Sequence, residues 1–144
     1  MVQIRAFTEA DTEAVVSLWQ EARLTRPWND PYRDIRRKTT TQPELFLVAD
    51  DDGSVVGTAM VGYDGHRGWI HYLAVAASQR GTGLGRALVG EAESMLAALG
   101  CAKVQLQVRP DNTDVLAFYE SLGYETYEAV SMGKRLESDE VGGV

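Results

Sequence analysis

One short segment, residues 80–86, constrains the fold of this chain more than any other part of its sequence. It reads Arg-Gly-Thr-Gly-Leu-Gly-Arg, and it lies between the apolar run 73–75 and a long helical pattern. The first amides of a helix have no carbonyl partner within that helix, and the helix dipole adds positive charge there. Glycines allow the backbone to approach an anion closely, and Arg80 and Arg86 add positive charge. The segment therefore predicts a strand, a pyrophosphate-binding loop and a helix, in that order.

Three familiar kinds of glycine-rich loop fit this segment less well. A glycine-rich corner without a ligand would not need three alternating glycines between two arginines. The dinucleotide fingerprint requires a third glycine, but Arg86, Ala87 and Leu88 follow Gly85, which disfavours a nucleotide-dependent oxidoreductase. The Gly-Lys-Ser/Thr sequence of the Walker loop is also absent from the segment.

The hydrophobic pattern predicts one mixed α/β domain over residues 1–136, followed by an acidic, glycine-rich tail over 137–144 that we expect to fray. Apolar periodicity and turn residues give the element order β-α-α-β-β-β-α-β-α-β-β. Asp30 and Pro31 suit the start of the second helix, and Asp52-Gly53 suits a hairpin turn. The last hairpin is expected over residues 124–136.

The charge balance excludes some classes of function. Fourteen basic and 21 acidic residues give a net charge of −7, so the chain lacks the positive field that nucleic acid binding needs. No segment approaches the roughly 20 apolar residues of a membrane span, and no basic leader precedes residue 7, so we expect no membrane association and a cytoplasmic location. The single cysteine, Cys101, cannot form an internal disulfide, and no metal site is expected.

Two motifs resemble those of the GNAT family of N-acetyltransferases. The first is Arg80-x-x-Gly83-x-Gly85, and the second runs from Asn112 through Tyr119 to Gly123-Tyr124. The segments 26–31 and 62–68 are also similar to a small bacterial member of that family. The resemblance implies a mixed central sheet of six to seven strands with splayed central strands and about four helices. It also implies acetyl-CoA as co-substrate, a small-molecule or peptide amine as acceptor, and a homodimer.

The resemblance assigns roles to individual residues of this chain. The main chain of the strand before the loop would pair with the pantetheine arm, the loop would hold the pyrophosphate, and Asn112 would contact the cofactor. Tyr119 would stand near the sulfur and protonate the leaving thiolate; the alternative is a core aromatic. The expected cofactor-binding residues are Leu73, Ala74, Val75, Arg80, Gly81, Thr82, Gly83, Leu84, Gly85, Arg86, Asn112 and Tyr119.

The residues leave the identity of the general base open. In the related ribosomal-protein alanine acetyltransferases a glutamate occupies the position of Gln107, and glutamine cannot take that role. His71 has a suitable intrinsic pKa, but a hydrogen-bonded strand histidine is an equally simple interpretation. Water relayed by Tyr63 or Tyr72 is a further alternative. Since Gln107 is no base, a sensor that binds acetyl-CoA without turnover stays open as a second function.

The acceptor side is predicted from two segments. Trp28, Asn29 and Asp30 fall where the first two helices of the family line the acceptor groove, although Asp30 also suits a helix cap. Asp64 and His66 lie in a turn that could border the same groove, but Asp64-Gly65 is also an ordinary turn pair.

Overall fold

Five strands form one sheet in the order β1-β2-β3-β4-β5 in the computed structural model, which describes residues 1–140. The strands are β1 (Val2–Ala6), β2 (Phe46–Asp51), β3 (Ser54–Tyr63), β4 (Gly68–Val75) and β5 (Val104–Gln105). The first four form antiparallel pairs, and β5 lies parallel to β4. The Asp-Gly turn between β2 and β3 is confirmed, with φ of +49° at Asp52 and +94° at Gly53.

Four helices flank the sheet: α1 (Thr12–Glu21), α2 (Pro31–Thr39), α3 (Leu84–Ala98) and α4 (Thr113–Ser121). Short 3-10 turns cover Glu9–Asp11, Pro43–Leu45 and Ala77–Gln79. The predicted start of α2 is confirmed, because the Asp30 side chain accepts a hydrogen bond from Tyr32 N at 2.9 Å and Pro31 opens the helix.

Alternation along the strands divides the core between the two faces of the sheet. In β2, Phe46 and Val48 pack with α1 and α2, whereas Leu47 and Ala49 pack with α3 and α4. The chain is therefore a three-layer α/β/α domain, with α1 and α2 on one face and α3 and α4 on the other.

The expected divergence of two strands is present, but it separates β4 from the edge strand β5 and not two central strands. β4 and β5 pair at only two positions, Gly68 with Val104 and Trp69 with Gln105, and then separate. The strand expected over residues 103–108 is accordingly only two residues long. Beyond Trp69, β4 is paired along its β3 side only, so its other edge is open.

The expectation of six to seven strands was wrong, because residues 1–140 form a sheet of five. Residues 124–136, predicted as a hairpin, form no strand. The exposed fractions of Val130, Met132 and Leu136 are 89%, 94% and 93%, and no helix covers them. Pairing this segment would bury little apolar surface to offset the entropy of ordering it.

The described part of the predicted tail is held against α2, contrary to the fraying we expected. Asp139 is 4% exposed and accepts hydrogen bonds from Arg37 Nη2 at 2.6 Å and from Asp30 N at 2.9 Å. Arg37 holds the pKa of the Asp139 carboxyl well below its usual range. Residues 141–144 of the predicted tail lie outside the described residues.

Candidate functional site

A cavity of about 1160 Å³ opens where β4 and the segment after β5 diverge. One wall contains Leu73 of β4 together with Val108, Asn112 and Tyr119. The opposite wall comes from the α1–α2 connection and from α2, and includes Arg26, Asn29, Asp34 and Lys38. The cavity thus joins segments from both halves of the chain at the point where the sheet opens.

The open edge of β4 forms the floor of this cavity. Leu73 lies at the cavity surface, Ala74 is buried on the α1 face, and Thr58 and Gly57 of β3 pair with Ala74 and Val75. The free edge of residues 70–75 can therefore accept an extended ligand as an added strand.

A β-bulge interrupts β4 at Tyr72 and Leu73, which together face the single residue Ala59. Tyr72 has a φ of +51°, a conformation that is costly for a large side chain. The bulge turns the main chain at the point where β4 lines the cavity, and it can aim a backbone amide into that space.

Buried side chains hold the bulge in place. The Trp19 ring stacks on the Tyr72 ring with centroids 3.8 Å apart, and Trp19 Nε1 donates to Thr58 Oγ1 at 2.9 Å. Thr58 Oγ1 donates to the Tyr72 carbonyl at 2.8 Å, and the Tyr72 hydroxyl donates to Asp34 Oδ2 at 2.6 Å. Burial and Asp34 raise the pKa of Tyr72. The sequence contains no local signal for this network, and sequence reasoning missed it.

The glycine loop has the geometry that a phosphate site requires. Gly81 and Gly83 have φ of +78° and +87°, and a Cβ at either position would meet no atom within 4 Å, so both face open space. Ala87 N donates to Gly83 O at 3.0 Å, which leaves the amides of Leu84, Gly85 and Arg86 in the first turn, where no intrahelical carbonyl can reach them.

The other predicted loop residues have mixed roles. Arg80 and Arg86 are exposed, and neither pairs with a carboxylate among residues 1–140. The Thr82 hydroxyl donates to Gln79 O at 2.5 Å, and the Leu84 side chain is buried in the core. A Cβ on Gly85 would lie 3.2 Å from Phe118 Cζ, so this glycine also lets α3 pack closely against α4.

Tyr119 and Asn112 lie on the wall of the cavity. Tyr119 is 7% exposed and packs edge-to-face against the rings of Phe118 and Tyr124. Its hydroxyl has no hydrogen-bond partner within residues 1–140, and burial raises its pKa, so the phenol stays protonated at neutral pH. Asn112 begins α4 without capping it through its side chain, which leaves the amide group available to a ligand.

His71 also lines the cavity, on the same strand as Leu73. The His71 side chain is exposed to the cavity; its partly desolvated surroundings and the positive charge of Lys38 lower its pKa, whereas the Asp34 carboxylate opposes this shift. The ring is therefore neutral at neutral pH and can accept a proton. Sequence reasoning missed Lys38, whose place in a strongly basic stretch of α2 resembles an ordinary solvated helix face.

The predicted acceptor residues are brought together only in part. Asn29 lines the cavity, and its Oδ1 accepts a hydrogen bond from Arg135 Nη2. Asp30 caps α2, so the alternative role expected for it is present. Trp28 is 47% exposed and borders a separate cavity of about 690 Å³ with Arg37 and Leu136.

Two other side chains predicted near the reaction, those of Asp64 and Gln107, form hydrogen bonds within the protein. Asp64 Oδ1 accepts from His66 N at 2.7 Å and from Arg67 N at 2.6 Å, and these bonds lower the pKa of the Asp64 carboxyl. Asp64 and His66 are not among the residues that line the large cavity. Gln107 lines it, and its Nε2 donates to Ser131 Oγ at 2.7 Å.

The described part of the chain offers neither a metal cluster nor a membrane span. Within residues 1–140, no group of three or more His, Cys, Asp or Glu side chains could hold a metal ion. No helix in that same range has the length and apolarity to cross a bilayer.

An open strand edge, a loop with exposed glycines at a helix start, and a phenol at the cavity wall without a partner in residues 1–140 are typical of proteins that bind an elongated, phosphate-bearing ligand. Comparison with known proteins agrees with this class. The model of the acetyltransferase (GNAT) family matches residues 12–124. An acetyltransferase of Pectobacterium atrosepticum is 49% identical over 138 residues, which is 96% of this chain and 98% of the relative.

Solved structures show the same fold. Ard1 from Thermoplasma volcanium superposes with a TM-score of 0.74 at 31% identity, over 85% of this chain and 81% of that one. AAC(6')-Iy, in complex with a bisubstrate analogue that contains CoA, superposes with a TM-score of 0.77 at 18% identity, over 94% and 98% of the two chains. The chain belongs to the GNAT acetyltransferase family, and acetyl-CoA is its acyl donor.

Proposed function

We propose that this acetyltransferase moves the acetyl group of acetyl-CoA directly to a primary amine bound beside His71. The observation that carries the proposal is that Tyr119 lines the cavity where β4 and β5 part, with a hydroxyl that has no hydrogen-bond partner within residues 1–140. A protonated phenol at this position suits a reaction that releases an anion.

The cofactor-binding roles follow from the main chain. The open edge of Leu73, Ala74 and Val75 would pair with the pantetheine arm, and the first amides of α3 would hold the pyrophosphate. Arg80 and Arg86 would add charge, and the free Asn112 amide would contact the same ligand. When bound, acetyl-CoA supplies the acetyl thioester.

The chemistry requires one proton acceptor and one proton donor. A free alkyl ammonium has a pKa of about 10.4, so it must lose one proton to water before the neutral amine can attack the thioester carbonyl. His71, directly or through water, would then take a second proton from the amine nitrogen as the carbon–nitrogen bond forms. Tyr119 would donate its proton to the sulfur as the carbon–sulfur bond breaks, and the two proton transfers balance. A backbone amide at the β4 bulge would polarise the thioester carbonyl.

The experiment uses the purified chain, calorimetry with CoA, and a thiol-release assay with acetyl-CoA and a panel of primary amines. We expect CoA to bind and at least one amine to be acetylated, as mass spectrometry would record. Binding without transfer to any amine would instead favour the sensor that Gln107 leaves open. Absence of CoA binding would overturn both. The homodimer stays a prediction, which sedimentation velocity tests.

A further inference from the structure

The acceptor side of the cavity contains a lysine whose side chain is mostly buried and whose ammonium has no partner within residues 1–140. Lys38 is only 9% exposed, and its ammonium forms no hydrogen bond or ion pair with any residue from 1 to 140. Burial lowers its pKa, and the charge of Glu44 opposes that shift. Since the described residues contain no buried side-chain nitrogen that lacks a hydrogen-bond partner, the unpaired Lys38 ammonium is open to solvent. Lys38 lines the cavity, so an anionic ligand there can reach this ammonium.

The charges around Lys38 support the same conclusion. Arg23 and Arg26 line this side of the cavity, and neither pairs with a carboxylate within the described residues. Arg26 Nη1 is fixed by the carbonyls of Arg23 and Thr25 at 2.8 and 2.9 Å, which orients the guanidinium and leaves its other donors free.

The nearby carboxylate does not compensate for these cations. Both oxygens of Asp34 are used: Oδ1 accepts from Arg37 Nη1 at 2.9 Å and Oδ2 from the Tyr72 hydroxyl at 2.6 Å. Asp111 lies on the cofactor side, beside Asn112. The acceptor side is therefore cationic in a chain whose net charge is −7. An acidic protein with one basic wall selects for anions at that wall.

We propose that the acceptor is a small primary amine that carries a carboxylate or phosphate group, and that Lys38 and Arg26 bind this anion. The inference rests on the proposed function and specifies its substrate class. Lys38 and His71 line the same cavity, so an anion at Lys38 would orient the amine of the same molecule toward His71. The positive wall also favours the uncharged form of the amine, which is the nucleophile.

The test compares acceptors that differ by one anion. Glycine, β-alanine and 4-aminobutyrate are each paired with their amides, and glucosamine 6-phosphate is paired with glucosamine. We expect kcat/KM to be about tenfold higher for the anionic member of at least one pair, which also separates carboxylate from phosphate. An equal or higher value for the uncharged members in every pair would overturn the inference while leaving acetyl transfer intact. Acetylation of acidic peptides alone would overturn it in favour of a peptide acceptor.

Variants connect this preference to Lys38. Lys38→Met is expected to raise KM for the anionic acceptor and abolish the preference, whereas Lys38→Arg retains most of it. Arg36→Met, which removes an exposed charge from the same helix outside the cavity, is the matched control and should keep the preference. An equal loss of kcat for charged and uncharged acceptors in Lys38→Met would contradict anion binding.

A binding measurement makes the test independent of turnover. CoA-saturated protein is titrated with the N-acetyl derivatives of the same acids and amides by calorimetry. Tighter binding of the acids, lost in Lys38→Met, would support the inference even if no acetylation were detected. Equal binding of acids and amides would overturn it.

Discussion

The proposed cofactor side and the proposed acceptor side of the site are built in different ways; Leu73 lines the cavity, whereas residues 80–86 lie outside its lining. The cofactor side consists mainly of backbone: the open edge of β4, the amides at the start of α3, and glycines with positive φ. The acceptor side consists of side chains from the α1–α2 connection and from α2, including Lys38, Asp34 and Arg26. Regular secondary structure fixes the backbone groups of the cofactor side, whereas the side chains of the acceptor side are positioned by packing between elements.

This difference indicates which part of the site is common to the family and which part distinguishes its members. Backbone groups can bind the same cofactor in many sequences, because any residue with the right φ and ψ supplies them. Side chains at the acceptor side can change without disturbing the sheet, so the acceptor can differ while the donor stays the same. The bulge at Tyr72 connects the two sides, because it belongs to β4 and is fixed by Trp19 and Asp34.

The largest expected effect is at Tyr119. Tyr119→Phe removes the proposed proton donor and should lower kcat by roughly 100-fold or more, with little change in CoA affinity. Steady-state kinetics and calorimetry measure the two quantities. Tyr124→Phe is the matched control: it loses a hydroxyl from the same aromatic cluster, one that donates to Glu93 instead of facing the large cavity. Equal kcat values for both variants and the wild type would remove Tyr119 from the mechanism.

The next largest expected effect is a loss of stability when the side-chain network behind the β4 bulge is disrupted. Thr58→Val removes both the acceptor of the Trp19 Nε1 proton and the donor to the Tyr72 carbonyl. Leaving these two buried groups unpaired should cost about 2–4 kcal/mol in free energy of unfolding, as urea denaturation measures. Thr39→Val, at an exposed threonine on α2, should change stability little. Equal stability of the two variants would show that the bulge does not depend on this network.

A glycine substitution in the loop of residues 80–86 tests CoA binding without changing the acceptor side. Gly83→Ala places a Cβ at a φ of +87°, which should distort the loop and weaken CoA binding by about tenfold. Gly90→Ala is the control, since Gly90 lies within α3 and a Cβ there meets no atom within 4 Å. That change should stabilise the protein by about 0.5–1 kcal/mol without affecting CoA affinity. Unchanged CoA affinity in Gly83→Ala would argue against pyrophosphate binding at this loop.

The smallest expected effect is on the pH dependence of kcat/KM, which we attribute to His71. As the pH falls, His71 gains a proton and can no longer accept one, so kcat/KM should fall with a midpoint below the usual histidine pKa of about 6.5. Lys38→Met removes a positive charge that lowers this pKa, so the His71 midpoint should move upward. NMR titration follows the ring, with His66→Gln used to assign its signal. A midpoint that does not move would mean that the two side chains are not coupled.

Local sequence was sufficient where the structure depends on local geometry. The glycines of residues 80–86 required a strand–loop–helix, Asp30 and Pro31 marked the start of α2, and Asp52-Gly53 marked a hairpin. Each of these features arises from the φ preferences or hydrogen bonds of a few adjacent residues. The resemblance to the GNAT family added Tyr119 and Asn112, which both lie at the cavity.

Only the tertiary structure decided the features that depend on distant partners. It ended the sheet at five strands, because residues 124–136 find no surface on which to bury Val130 and Met132. It placed Lys38 of a basic helix inside a cavity, and it brought Trp19 and Thr58 together behind Tyr72. Backbone preferences act over a few neighbouring residues, whereas burial and electrostatics depend on which segments meet after folding.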